Sequence, residues 1–408
     1  MRIFKALIIF LTLVFCSCGR VSIAQIWTDR PEFALYGEFF NTVQSQYKVS
    51  VKYVEFPAQE ITRHNRPDLI VASWLKNSAT NTTFKSIDNL FGANRLTRNI
   101  FYSRLLAVGR IDRNQYLIPV SFNIPALIFS GNRVNDLSSQ FTINFDEIKN
   151  RSRPFNAMSR GLYTRMGFSP HWDDNFLLTA AVLSGASFRE ESPLTWDSAA
   201  LEQSMSSINN WTIEINGGHQ AEEDFTFKYF FEPPDRLVQS GRILFSYMES
   251  DELFLLSEDR KTNLDFRWIM EQNMLPVTDK TVYMGIPKRA KSRSAARAFI
   301  QWFFTVETQR TLLEFSRANR INENVFGICG GFSALSSVTE QVYPLFYPEL
   351  LGRMPPSENF TLPNVLPANW VVLRERVILP YLGERSRSDG RDIYPLDKRI
   401  GDWIRLTR

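Results

Sequence analysis

Cysteine is nearly absent from this chain of 408 residues: there are three, and Cys16 and Cys18 fall at its very start. Only Cys329 lies beyond, so neither a disulfide framework nor a Cys-x-x-Cys metal cluster is available. Histidine is as scarce. His64, His171 and His219 stand apart in no repeated ligand spacing, and no metal or cofactor is expected. Charge of one sign is lacking too: 47 basic residues against 43 acidic ones leave a formal +4, and no basic stripe is dense enough to track nucleic acid. Beyond the first residues no apolar run approaches the roughly 20 needed to span a bilayer. There is no Gly-x-Ser-x-Gly elbow, no His-Glu-x-x-His and no Walker-type loop. The nearest catalytic grouping, His171 with Asp173 and Asp174, has no ligand or acid-pair spacing to support it, so no enzyme is expected.

What is present is ordinary globular material, 44% apolar and 22% charged, in a chain long enough for two domains. Aromatics are plentiful, with 33 Phe, enough to fill cores and still line a pocket. Cys329 sits in a Gly-rich stretch, 326–331, and reads as a small buried hydrophobe.

Arg2 and Lys5 precede an apolar run over 6–15, the layout of a secretory signal occupying 1–17. Phe15, Cys16, Ser17, Cys18 and Gly19 then resemble a bacterial lipobox, with small Ser17 before Cys18 and Phe15 where leucine is commonest. That resemblance implies an acylated Cys18 and a protein held at a bacterial membrane, facing periplasm or exterior. Each buried acyl methylene contributes about 0.8 kcal/mol.

Residues 21–27 read as a strand, and Tyr36, Phe40, Val43 and Tyr47 as an amphipathic helix. Alternation at Val49, Val51 and Tyr53 predicts a second strand, and 67–72 a third. Strand, helix, strand in this order predicts a parallel sheet with right-handed crossovers. Ligands bind beyond the carboxyl ends of such strands, which points to Trp27, Asp29 and Trp74. Residues 116–129 are extended and apolar, with Pro119 and Pro125 restricting them to an edge or a crossing. Helices are expected from Ser169, with 176–183 apolar, across 201–208, and twice over 291–315 with Thr305 as an N-cap between them.

This order of elements resembles the extracellular solute-binding proteins of bacterial ABC importers, the family that includes maltodextrin-binding proteins. The resemblance is carried by Ile26-Trp27 onward, by Pro67-Asp68-Leu69-Ile70, by 118–129, and most of all by Gly285-Ile286-Pro287-Lys288 followed by Ala295-Ala296-Arg297-Ala298-Phe299-Ile300 and Glu307-Thr308-Gln309. It runs through about 22–330; Arg320 stands where many members have proline, and the C-terminal part is atypical.

The resemblance implies an α/β fold of two lobes joined by a hinge with a ligand cleft between them. One lobe would take 18–122 and 285–320, the other 123–284 and 321–408, with chain crossings near Phe122, Gly285 and Arg320. It implies a monomer that captures a small solute and delivers it to the permease subunits of an ABC transporter; an envelope sensor or interaction protein of the same fold is the alternative. Expected cleft residues are Trp27, Asp29, Arg30 and Trp74 on the first lobe and Phe122 and Asn123 at the crossing. Trp172, Asp173, Asp174, Tyr247 and Glu249 follow on the second lobe, with Met284 and Gly285 at the second crossing. Flat indoles beside carboxylates and amides favour a carbohydrate or another polyol.

Overall fold

The computed structural model describes residues 22–61, 67–92, 95–192, 194–388 and 393–407. The expected signal segment and Cys18 lie outside these, as does His64. No described helix is long and apolar enough to cross a membrane.

β1 (Ser22–Thr28) leads through a turn into α1 (Phe33–Val43), whose Phe33, Tyr36 and Phe40 form one buried stripe at helical spacing. The helix ends earlier than the aromatic spacing predicts. The Gln44 side-chain carbonyl accepts from the Tyr47 amide at 2.8 Å, turning the chain so that Tyr47 opens β2 (Tyr47–Tyr53). β3 (Leu69–Ser73) is buried throughout, as a strand covered on both faces must be. β1 pairs in parallel with both β2 and β3. Asp68 shows why a Pro-Asp pair opens β3: its carboxylate accepts from the Gln25 amide at 3.0 Å and from the Lys291 and Ser292 amides at 2.6 and 2.8 Å. One side chain thus ties a neighbouring strand to the loop that launches a later helix.

β4 (Leu117–Phe122) and β5 (Pro125–Ser130) are both wholly buried, yet they belong to different sheets. Only Asn123 and Ile124 separate them, and they form the first passage between lobes. β6 (Thr142–Ile143), α2 (Asp174–Leu183), α3 (Ser198–Asn216), α4 (His219–Lys228), β7 (Phe245–Glu249) and β8 (Leu264–Ile269) build the second lobe. Its sheet has the order β7-β5-β8-β6. The chain then returns to β9 (Val282–Gly285), α5 (Arg293–Phe303), α6 (Val306–Ala318) and β10 (Phe332–Ser333), completing a first sheet ordered β10-β4-β9-β3-β1-β2. In α5, Ala295, Ala296, Phe299, Ile300 and Phe303 make up the buried face, and Phe299 packs edge-on to Phe40 at 5.3 Å. Thr305 caps α6, its hydroxyl accepting from the Thr308 amide at 3.1 Å.

The third passage lies later than the sequence division at Arg320. Phe332 pairs with Phe122 in the first sheet, while 366–404 contribute to the second lobe's core, including α7 (Leu379–Arg385) and α8 (Leu396–Thr407). The reason is apolar: Phe326, Ile328 and Phe332 are fully buried and draw 326–333 back onto β4. The division is therefore moved to between Ser333 and Leu366.

An aromatic seam fills the hinge. Phe332 stands 5.7 Å from Phe122, 5.9 Å from Trp268 and 6.0 Å from Phe254, and Phe254 stacks on Phe326 at 4.9 Å. Offset and edge-on contacts of this kind add about 0.5–1.5 kcal/mol each beyond area burial.

Candidate functional site

The first sheet delivers Trp74 to the space between the lobes directly after β3. Its φ is 57°, a left-handed conformation that bulky side chains rarely adopt. Its indole N–H is buried without a partner. Both features cost free energy, and a costly conformation facing a cleft is where function is sought. Beside it, Arg30 donates to the Ser73 hydroxyl at 3.1 Å and lies 3.3 Å from the Asp29 carboxylate. Burial raises the Asp29 pKa against the opposing pull of Arg30.

From the second lobe, Ser169 caps the turn Pro170–Trp172 and presents Trp172. That ring stacks on Phe225 at 5.8 Å, and its N–H donates to the Thr226 hydroxyl at 3.1 Å, so the indole face is held fixed. Asp173 caps α2, accepting from the Asn175 amide at 2.8 Å, and burial raises its pKa. Arg30, Trp74, Trp172, Asp173, Asp174 and Asn175 line one cavity of about 500 Å³. Lys280 from the second passage and Arg374 and Glu375 from the C-terminal run complete its wall. Arg374 is held by Asp279, 3.3 Å away, and by the Asn175 side chain. The wall therefore mixes two indoles with donors and acceptors of both charges, which suits a neutral, hydroxyl-rich ligand better than an ion.

Two smaller cavities adjoin it. One, of about 280 Å³, shares Trp172 and Asp173 and is lined by Phe225, Tyr229, Phe230 and Tyr247. The other, of about 210 Å³, shares Asn175 and Arg374 and reaches Glu249 at the hinge.

The expected site residues divide accordingly. Arg30, Trp74, Trp172, Asp173 and Asp174 meet in the cleft, Asp29 stands beside Arg30, Tyr247 lines the aromatic side cavity, and Glu249 the hinge cavity. Four lie elsewhere. Trp27 is still inside β1, packed on the opposite sheet face, with its N–H on Gln25 at 3.0 Å. Phe122 is part of the hinge seam, 5.4 Å from Phe360. Met284 is fully buried in the sheet, and a Cβ at Gly285 would come within 2.6 Å of Leu117, so glycine is there for packing. Asn123 is used by the passage itself: it donates to the Gly330 carbonyl at 2.7 Å and accepts from the Ser250 hydroxyl at 2.6 Å. Sequence reasoning missed Asn175, Lys280, Arg374 and Glu375. Lys280 and Arg374 have no local motif, because each reaches the cleft only through tertiary folding.

Glu249 is almost fully buried, 2.9 Å from Lys280, and burial carries its pKa from 4.5 to about 7 although Lys280 opposes the shift. The folded state thus holds a proton more tightly than the unfolded chain, so this group's contribution to stability is present below pH 4.5 and is lost as pH rises through about 7. In Glu249→Gln that loss disappears. The stability of the variant relative to wild type is expected to climb between those pH values and level off above, by up to about 3 kcal/mol. Urea titrations of both proteins across the range measure it, and a pH-independent difference rules out the buried carboxyl as the titrating group.

The fold also gathers residues that sequence spacing kept apart. His171 Nε2 lies 2.9 Å from the Ser386 hydroxyl and Nδ1 lies 2.8 Å from the Glu222 carboxylate. The line Ser386, His171, Glu222 has the connectivity of a nucleophile relay. Ser386 is fully buried and its hydroxyl also bonds the Gly383 carbonyl at 3.2 Å, so no substrate reaches it.

Two α/β lobes, three passages and an aromatic, polar cleft between the lobes define a hinged two-lobe fold. No protein-family model matches the chain, and no curated protein matches it in sequence. Solved structures do match in fold. An ABC substrate-binding protein from Listeria monocytogenes, in complex with cycloalternan, superposes with a TM-score of 0.64 at 14% identity, covering 95% of this chain and 99% of that one. The cyclic alpha-maltosyl-1,6-maltose binding protein from Arthrobacter globiformis gives 0.61 at 13%, over 93% and 96%. The GacH receptor of Streptomyces glaucescens, solved unliganded and with acarbose, gives 0.55 at 14%, over 95% and 98%. The chain has the fold of the ABC substrate-binding proteins, along almost its whole described length.

Proposed function

We propose that this protein captures an oligosaccharide between its lobes and passes it to the permease of an ABC importer, as a lipid-anchored monomer of a bacterial envelope and not as an enzyme. The observation that carries the reading is the pair of indoles, Trp74 and Trp172, brought from opposite lobes to one cavity edged by Arg30, Asp173, Lys280 and Arg374. Stacked rings contribute contact area to the C–H faces of a sugar, and the charged rim supplies hydrogen bonds to hydroxyls. Three fold neighbours support it by the saccharides and acarbose named with them. Binding closes the lobes because only the closed form touches ligand from both sides.

Calorimetry against linear and cyclic gluco-oligosaccharides, manno-oligosaccharides, polyols and amino acids tests it. The expected result is one saccharide class binding near 1 μM, about −8 kcal/mol. A folded protein that binds no saccharide, or binds an amino acid instead, ends the reading. For the anchor, Cys18→Ser is expected to release the protein from the membrane fraction and abolish incorporation of labelled palmitate. Undiminished labelling of that variant would show that Cys18 is not the acylated residue.

A further inference from the structure

The histidines that the sequence scatters meet behind the cleft. His171 and His219 lie with ring centroids 5.2 Å apart, and one ligand atom each from His171, His219 and Glu222 falls within 4.8 Å of the others. We infer that these three residues form a binding site for a divalent transition metal of the zinc class, placed under Trp172.

The tautomer of His219 argues for it. His219 Nε2 lies 2.7 Å from the Asn209 side-chain oxygen, an acceptor, so the ring proton sits on Nε2. That leaves the Nδ1 lone pair of His219 buried and without a hydrogen-bond partner. His171 Nε2 lies 2.9 Å from the Ser386 hydroxyl, which also donates to the Gly383 carbonyl at 3.2 Å. His171 Nδ1 lies 2.8 Å from Glu222 Oε2, a hydrogen bond whose proton a bound metal would displace, with the Thr212 hydroxyl 3.3 Å away. Both rings turn Nδ1 inward, with a protein group, Asn209 or Ser386, against Nε2. This is how metal-ligating histidines are oriented. Glu222 Oε1 accepts from the Asn216 side chain at 2.6 Å, and Oε2 faces the rings, paired with His171 Nδ1 at 2.8 Å.

The donor set, two imidazoles and one carboxylate, is one that zinc accepts with a water in the fourth position. Ligand distances of about 2.0–2.2 Å require donors no more than about 4 Å apart. The contraction needed is about 1 Å, and the half-exposed ring of His219 at the start of α4 is the part free to make it. A metal here would clamp α4 to the turn carrying His171 and Trp172, and so steady the wall of the aromatic side cavity.

The test uses tag-free protein stripped with a chelator, titrated with Zn(II) in a calorimeter and with Co(II) by visible absorption. One ion per chain with a tetrahedral Co(II) spectrum is expected. His219→Ala and His219→Gln are expected to lose both signals while keeping the metal-free melting temperature, the glutamine preserving a polar partner for Asn209. Asn209→Ala, which removes only the orienting acceptor, is expected to weaken Zn(II) binding about 10–100-fold. No Zn(II) binding by wild type, or stoichiometric binding unchanged in both His219 variants, overturns the inference. The result does not depend on whether any saccharide binds, so it stands or falls apart from the proposed function.

Discussion

Trp74→Gly weakens oligosaccharide binding by a factor of about 30 to 150, a loss of about 2–3 kcal/mol, and yet is more stable than Trp74→Ala. The binding loss follows from removing an aromatic anchor from the centre of a desolvated cleft. The stability order follows from the backbone. Position 74 has φ 57°, which alanine adopts under strain and glycine adopts freely, so glycine is ahead by about 1 kcal/mol. A residue retained for packing would show both substitutions destabilising and little change in affinity per folded molecule. Calorimetric titration and urea unfolding of wild type, Trp74→Ala and Trp74→Gly separate the two cases. Equal affinities in all three would remove Trp74 from the site.

Phe332→Ala shows the opposite signature. Its ring is fully buried and meets Phe122, Phe254, Trp268, Phe326 and Tyr343 within 6 Å. Truncation leaves a cavity that these rings, themselves pinned, fill poorly, and the expected cost is about 3–5 kcal/mol. Because β10 is only two residues long and is held by pairing with Ser121 and Phe122, the loss also frees the third passage. Affinity measured well below the melting temperature is expected to fall much less than stability. A loss under 1 kcal/mol would mean the seam repacks and is not the rigid pivot between the lobes.

Much of this architecture is legible in the sequence because burial patterns are local. The fully apolar β3 and the Ala295, Ala296, Phe299, Ile300 face of α5 announce themselves by composition and period. The end of α1 was not legible, since Tyr47 continues the helical spacing and only the Gln44 turn, a side-chain hydrogen bond, diverts it. The third passage was misplaced because Phe326, Ile328 and Phe332 alternate as any short strand does, and nothing local says which sheet they join. At the site, Trp74 and Asp173 were readable from their places after a strand and before a helix. Trp27 failed the same rule by one residue, since the strand runs on to Thr28. Arg374 and Lys280, and the meeting of His171 with His219, arise from segments about 90 and 50 residues apart, respectively, and no periodicity encodes such encounters.

Cys329 gives the molecule a clock. In a chain that begins at Gly19 it is the sole thiol. It is almost fully buried in the turn that joins the hinge seam to β10, and burial raises its pKa well above that of a free cysteine. Its neighbours are structural: the Ser121 hydroxyl donates to its carbonyl at 3.1 Å, and Phe326 and Phe332 close over the turn. An alkylating reagent therefore meets a thiolate only when this region comes apart. Labelling rate, followed by intact mass, becomes a direct count of openings at the pivot, with no probe added. If saccharide slows labelling, the closed state locks the pivot; if it does not, the lobes swing about a hinge that itself never opens.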